Sequence, residues 1–221
     1  MMIFARPSLR TLGPLLTLAL LGLPAVGCSM LATTLWVIDP NDVEAEYDGL
    51  RDRRVAVVCQ TSNSLAYQDY GVTQELSLRV GALLKHRVDE LDLVRQADID
   101  DWTDHNELAS YAELGSAMNA DVVVTLDLVD FSVYKGQTML QGQATVDVNV
   151  IDAKTGDELY RLATITSTYP PNNGVPVDIS NQRFENQFRG QFVTVLADQI
   201  ARRFYDYDSR AAVKMDRFYQ D

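Results

Sequence analysis

Two short motifs in the middle of the chain have the residue types of a nucleophilic serine site. Ser132 and Lys135 form an S-x-x-K pattern, and Lys154-Thr155-Gly156 forms K-T-G. In acyl-enzyme chemistry such a serine begins a helix beside its base. Here Ser132 falls in a run typical of a strand, the two motifs are close together, and no S-D-N sequence is present. We therefore interpret K-T-G as a hairpin turn and expect no enzyme activity.

Carboxylates that could bind a cation are concentrated in one stretch of the chain. A calcium loop of the EF-hand type needs a glycine at a fixed position, and this stretch lacks it. The two histidines, His86 and His105, do not have the spacing of zinc ligands. The sequence thus predicts no metal and no cofactor, and we interpret the stretch as charges placed ahead of a helix. Its acidic residues are Asp98, Asp100, Asp101, Asp104 and Glu107.

The first 28 residues have the three zones of a bacterial export signal. Arg6 and Arg10 give a positive start, and Leu15–Leu23 is an apolar run of nine residues. A helix that crosses a bilayer needs about 20 apolar residues, so this run is too short to be a stable span. Small residues then lead to Cys28. We expect residues 1–27 to be removed as a signal peptide.

The end of this signal resembles the lipobox of bacterial lipoproteins. The sequence Ala25-Val26-Gly27-Cys28 has small residues before the cysteine and departs from the motif at Ala25, where leucine is usual. The resemblance implies lipid on Cys28 and a membrane anchor at the cell envelope. Ser29 permits transfer to the outer membrane, so we expect the domain there to face the periplasm. The alternative is an ordinary secreted protein with a chance cysteine.

Charge and cysteine content narrow the possible partners. Removal of residues 1–27 leaves 17 basic and 31 acidic residues, a formal charge of −14. Such a charge argues against binding nucleic acid or anionic lipid through bulk electrostatics. Once Cys28 carries lipid, Cys59 has no disulfide partner. We expect Cys59, at the end of an apolar run, to be a small buried side chain rather than a reactive thiol.

Hydrophobic periodicity predicts an α+β domain in which helices pack on a single mixed sheet. The order of elements is β-α-β-α-β-β-β-α. In segment 141–151 apolar and polar residues alternate, which is typical of a half-buried antiparallel strand. The predicted organisation is a signal peptide at 1–27, a lipidated tether at 28–53, a globular domain at 54–205 and a charged tail at 206–221.

The globular part resembles an α/β domain shared by several envelope proteins. Arg54–Val58 resembles its opening strand, Ala120–Leu126 the strand after its second helix, and Val148–Leu159 its T-G hairpin. The group contains curli-secretion-channel lipoproteins, penicillin-binding-protein-activating lipoproteins and the amino-terminal domain of the Tol translocation protein. This chain departs from the pattern at Thr125, where glycine is common, and at Cys59-Gln60-Thr61.

These features predict a non-catalytic envelope lipoprotein that binds another envelope protein. Exposed loops commonly carry recognition, so the expected surface is the polar loop Thr61–Tyr70 together with the loop at 169–181. Two alternatives stay open: an oligomeric pore or secretion-channel-like subunit, and an envelope hydrolase assembled from distant residues. The predicted contact residues are Thr61, Asn63, Tyr67 and Tyr70.

Overall fold

The computed structural model describes residues 42–61, 70–106, 108, 110–177 and 182–209. The chain divides into two compact units, 1–41 and 42–221, and every described residue belongs to the second. The predicted signal peptide, Cys28 and most of the predicted tether therefore lie outside the described residues. Among the helices that are described, none is long and apolar enough to cross a membrane.

The second unit is built on one mixed sheet of seven strands. Its strand order is β3-β2-β4-β5-β6, and β7 and β8 also pair with β5. Strand β2 runs parallel to β3 and β4, whereas all pairings of β5 are antiparallel. This confirms the predicted α+β class. The sheet strands are β2 (Arg54–Thr61), β3 (Asp92–Leu93), β4 (Val122–Lys135), β5 (Met139–Asp152), β6 (Glu158–Arg161), β7 (Ile165–Tyr169) and β8 (Val175–Pro176).

The hairpin of β4 and β5 is the largest part of the sheet, with fourteen residues in each strand. Ala144, Val146, Val148 and Val150 are buried, as the alternation predicts. The K-T-G segment is the turn after β5, where Asp152 Oδ1 accepts hydrogen bonds from the backbone N–H groups of Lys154 and Thr155. The predicted return strand at 158–168 is divided into two strands, β6 and β7. Both pair with β5, one after the other along its length.

One face of the sheet is covered by two long helices, α1 (Tyr70–Arg87) and α4 (Gln182–Ala201). An apolar stripe of α4 lies in this main core, and its Phe192 is fully buried. Its ring stacks on Phe131 with centroids 5.4 Å apart. Gly142 of β5 makes this packing possible, because a Cβ there would lie 2.4 Å from Phe192 Cγ.

On the opposite face, the described helices cover the parallel end of the sheet; they are α2 (Gln96–His105) and α3 (Tyr111–Ala117). The acidic stretch was predicted to lie outside a helix and ahead of the next one, but most of it forms α2 itself; Glu107 lies outside the described residues. Ile99, only 2% exposed, explains the difference, because its burial against the sheet fixes the stretch as helix. The next helix is capped by Ser110, whose side chain accepts from the backbone N–H of Glu113.

The ends of the domain, assigned from sequence to the tether and the tail, pair with each other. Strand β1 (Asp42–Val43) is antiparallel to β9 (Tyr207–Asp208), which follows a 3₁₀ turn at Arg202–Phe204. Leu50 is fully buried, and Tyr47 stacks on Tyr160 with centroids 5.4 Å apart. The body thus extends beyond both predicted boundaries, to Asp42 and Asp208. Few apolar residues mark these segments, so periodicity could not show their packing.

We expect Gly142→Ala to lower the free energy of unfolding by about 1–3 kcal/mol, because the added methyl overpacks a buried ring. Urea unfolding followed by circular dichroism measures this change. Gly190→Ala in α4 is the matched control, since its nearest neighbour would be Glu75 Oε1 at 4.0 Å. There, alanine should add up to about 1 kcal/mol through helix propensity. Equal effects of the two substitutions would contradict the packing argument.

Candidate functional site

The carboxyl end of β2 is the point where the chain changes direction across the sheet. From β2 the chain passes through α1 to β3 on one side, and then through α2 and α3 to β4 on the other. Helix α1 packs on one face of the sheet, whereas α2 and α3 pack on the opposite face. In open sheets with parallel strands, such a switch point leaves a crevice outside the strand ends, where ligands commonly bind.

A polar cavity of about 130 Å³ occupies this crevice. Asp100 is its central charge, since its two carboxylate oxygens accept hydrogen bonds from the side-chain amides of Gln74 and Gln96. The contact ties α1 to α2 across the cavity. Strand β2, α1 and α2 supply the lining residues Val58, Cys59, Gln60, Thr73, Gln74, Ser77, Gln96, Ile99, Asp100 and Thr103.

The structure places both ends of the predicted recognition loop at this crevice. Thr61 ends β2 directly after the lining residue Gln60, and Tyr70 begins α1 shortly before the lining residue Thr73. The other predicted contact residues, Asn63 and Tyr67, lie outside the described residues, as does the lipidation residue Cys28. The loop ends thus frame a polar cavity that sequence reasoning did not foresee.

The second predicted loop is attached to the far end of the β4–β5 hairpin. Its described part, 169–177, includes β8, which pairs with Met139 and Leu140 of β5. Gln141 Nε2 donates a hydrogen bond to Pro170 O at 3.0 Å. These bonds hold this segment to the sheet.

Cys59 is half-buried and contacts the main core. Burial, with a smaller contribution from the charge of Asp127, raises the pKa of its thiol far above the usual range. Since the thiolate is the nucleophilic form, this environment disfavours reactivity. The geometry supports the packing role expected from sequence.

A polar cluster lies beside the crevice, on the partly open face of the sheet. Tyr111 OH donates to Gln60 Oε1 at 3.1 Å and lies 3.4 Å from Asp127 Oδ1. Asn149 Nδ2 donates to Asp127 Oδ2 at 3.4 Å. Gln60 lines the crevice as well, so the two features are continuous. The sequence analysis did not predict the contact between Tyr111 and Asp127, although the polar positions of β5 were an available signal.

Burial is the main cause that raises the pKa of the Asp127 carboxyl. The hydrogen bond from Tyr111 opposes this shift, the charge of Asp147 adds to it, and Arg161 opposes it. Burial and the neighbouring Asp127 also raise the pKa of the Tyr111 phenol far above its usual value. A carboxylate whose charge is disfavoured in this way is suited to accept a cation that would restore the charged form.

We expect Asp127→Asn to increase the free energy of unfolding at neutral pH. Because the folded pKa is raised, the folded state binds more protons than the unfolded state just above the usual carboxyl value of about 4, and stability falls as pH rises through that window. Urea unfolding between pH 3 and pH 7 measures the effect. The stability of the variant relative to the parent should increase as pH rises. Asp130→Asn, at an exposed carboxylate of the same strand, is the control for the general effect of removing a charge. A gain that is largest at pH 3 would contradict this account.

Neither a protein-family model nor a curated protein matches the sequence. Among solved structures, the PelC dodecamer from Paraburkholderia phytofirmans is similar at TM-score 0.44 and 14% identity, over 74% of this chain and 96% of that chain. Lipoprotein GNA1162 from Neisseria meningitidis gives 0.40 and 14%, over 67% and 97%. The LpoB C-terminal domain from Salmonella enterica gives 0.37 and 11%, over 56% and 87%. Lipoproteins are thus among the matches, as the sequence resemblance predicts.

Proposed function

We propose that this chain is a non-catalytic lipoprotein of the bacterial envelope, anchored through lipid on Cys28, whose folded domain binds another envelope protein. The export signal and the lipobox-like end at Cys28 support the anchor. Several acyl chains would hold firmly where one chain binds only marginally, since each buried methylene contributes about 0.8 kcal/mol. Ser29 supports a location at the outer membrane, facing the periplasm.

The observation that carries the binding role is the crevice at the carboxyl end of β2. It combines a switch-point location, a polar lining and the two ends of the predicted recognition loop, Thr61 and Tyr70. Loops set on a rigid scaffold commonly supply recognition surfaces. The scaffold here is rigid because β2 is hydrogen-bonded on both sides, to β3 and to β4.

The environments of the nucleophilic side chains support binding over catalysis. Ser132 lies within β4, and its Oγ accepts a hydrogen bond from Tyr134 N while donating to Tyr134 O. Its hydroxyl is therefore engaged with its own strand. The raised pKa of Cys59 disfavours a thiolate there.

Metabolic labelling with a palmitate analogue tests the anchor. We expect Cys28→Ala to lose essentially all label and to leave the membrane fraction, because the thioether acceptor is gone. Cys59→Ala is the matched control and should keep its label, since Cys59 is half-buried in the domain. Label that persists on Cys28→Ala would overturn the anchor.

Affinity capture of the full lipidated chain from solubilised envelope tests partner binding. We expect one envelope protein to be retained, and Tyr67→Ala with Tyr70→Ala to reduce its retention about 30-fold, as for an aromatic residue that contributes about 2 kcal/mol at an interface. Tyr134→Ala, at an exposed tyrosine far along the hairpin, is the control. No partner above background, or equal retention by both variants, contradicts the proposal. Native mass measurement of the captured species separates a heterologous complex from a ring of identical subunits.

A further inference from the structure

Two carboxylates face each other on the open part of the sheet. Asp127 of β4 and Asp147 of β5 are directly paired in the antiparallel register. Side chains at such positions have Cβ atoms about 4.5–5.5 Å apart, and like charges placed there are destabilising. Asp127 is also half-buried, which weakens the screening of its charge by water. The sheet therefore carries a cost that hydrophobic packing does not relieve.

The cation nearest to this pair in sequence register is already engaged. Arg161 of β6 is opposite Asn149 and acts electrostatically on both carboxylates. Its guanidinium, however, forms an ion pair with Glu158 at 2.6 Å. Throughout residues 42–61, 70–106, 110–177 and 182–209, neither Asp127 nor Asp147 forms an ion pair. The two negative charges lack a direct positive partner in this part of the chain.

The surroundings of the pair are rich in hydrogen-bond acceptors. From described residues, Asp127 receives two long hydrogen bonds, both at 3.4 Å, while Asp147 receives one at 2.6 Å from Thr164 Oγ1. Next along the same face, Thr125 and Asn149 are also paired in register. Thr125 is 1% exposed, and both Thr125 Oγ1 and Asn149 Oδ1 have no hydrogen-bond partner among the described residues. A group with several N–H donors and a positive charge would complement this surface.

We propose that the Asp127–Asp147 pair is the docking site for an arginine side chain of the envelope protein that this chain binds. The inference rests on the proposed function and specifies the chemistry of its partner. A guanidinium has five N–H donors and no acceptor, and its planar fork matches carboxylate oxygens. The positive charge of the guanidinium would offset the repulsion between the two carboxylates. The formal charge of −14 after signal removal also favours the approach of a basic surface.

The position of the pair connects it to the crevice. Gln60 and Tyr111 link Asp127 to the cavity between α1 and α2. A partner that occupies the crevice would therefore lie next to Asp127 and would be able to place one side chain on the Asp127–Asp147 pair. A metal ion suits the site less well, because no group of three or more potential metal-ligating side chains occurs among the described residues.

A titration of the isotopically labelled full chain in detergent, followed by NMR, tests this site. The probe is a short arginine peptide, with the same peptide carrying neutral citrulline as its isostere. We expect the arginine peptide to shift the Asp127, Asp147 and Asn149 signals, and the double change Asp127→Asn with Asp147→Asn to weaken binding at least tenfold. Asp130→Asn should leave the affinity within twofold. Unfolding curves of the same samples establish that the variants are folded.

Equal binding of the citrulline peptide, unchanged affinity in the double variant, or signal shifts confined to other surfaces would each overturn the proposal. Spermidine is titrated as a second probe. If it binds at the pair and the arginine peptide does not, the site binds a free amine and the proposal of a protein side chain is overturned. Capture from envelope separates this failure from that of the proposed function: a partner retained equally by the parent and the double variant refutes only the arginine site. A peptide that binds as expected while no partner is captured refutes only the proposed function.

Discussion

Antiparallel pairing of β4 with β5 determines how the two faces of the domain differ. Because successive side chains in a strand point to opposite faces, the long hairpin sends Val146, Val148 and Val150 to one side and Asp147 and Asn149 to the other. The apolar side holds the two long helices and most of the core. On the polar side, the helices among the described residues are shorter and lie at the parallel end of the sheet. The same ladder therefore specifies both the stable core and the charged surface.

Gln60 lies near the carboxyl end of β2, where the parallel part of the sheet borders the crevice. Its backbone belongs to β2, its side chain lines the cavity, and its Oε1 accepts the hydrogen bond of Tyr111. Tyr111 in turn reaches Asp127, which is opposite Gln60 in the parallel register. One switch in strand connectivity thus brings residues from β2, α3 and β4 together, although they are distant in sequence. The arrangement depends on α3 being held closely to the sheet, where Gly115 meets Ala153.

Local patterns were sufficient for the elements with strong periodicity. The alternation in β5 and the hairpin turn at Gly156 can each be recognised within a few residues of sequence. The charged face of α2 misled prediction, since Ile99 determines that helix through a distant contact. The polar cluster could not be predicted from sequence for the same reason. The hydrogen bonds that join Tyr111 of α3 to strands β2 and β4 depend on topology, which no short window of sequence records.

The pairing of β1 with β9 joins the first and last described parts of the domain, since Val43 is opposite Tyr207. Glu46 and Arg203 add an ion pair to this contact. No other strand pairing described joins residues so far apart in sequence, so this closure is the most non-local contact of the fold. The ribbon cannot form before Tyr207 and Asp208 are available to pair with β1. A domain that ends before these two residues therefore leaves β1 without its partner strand.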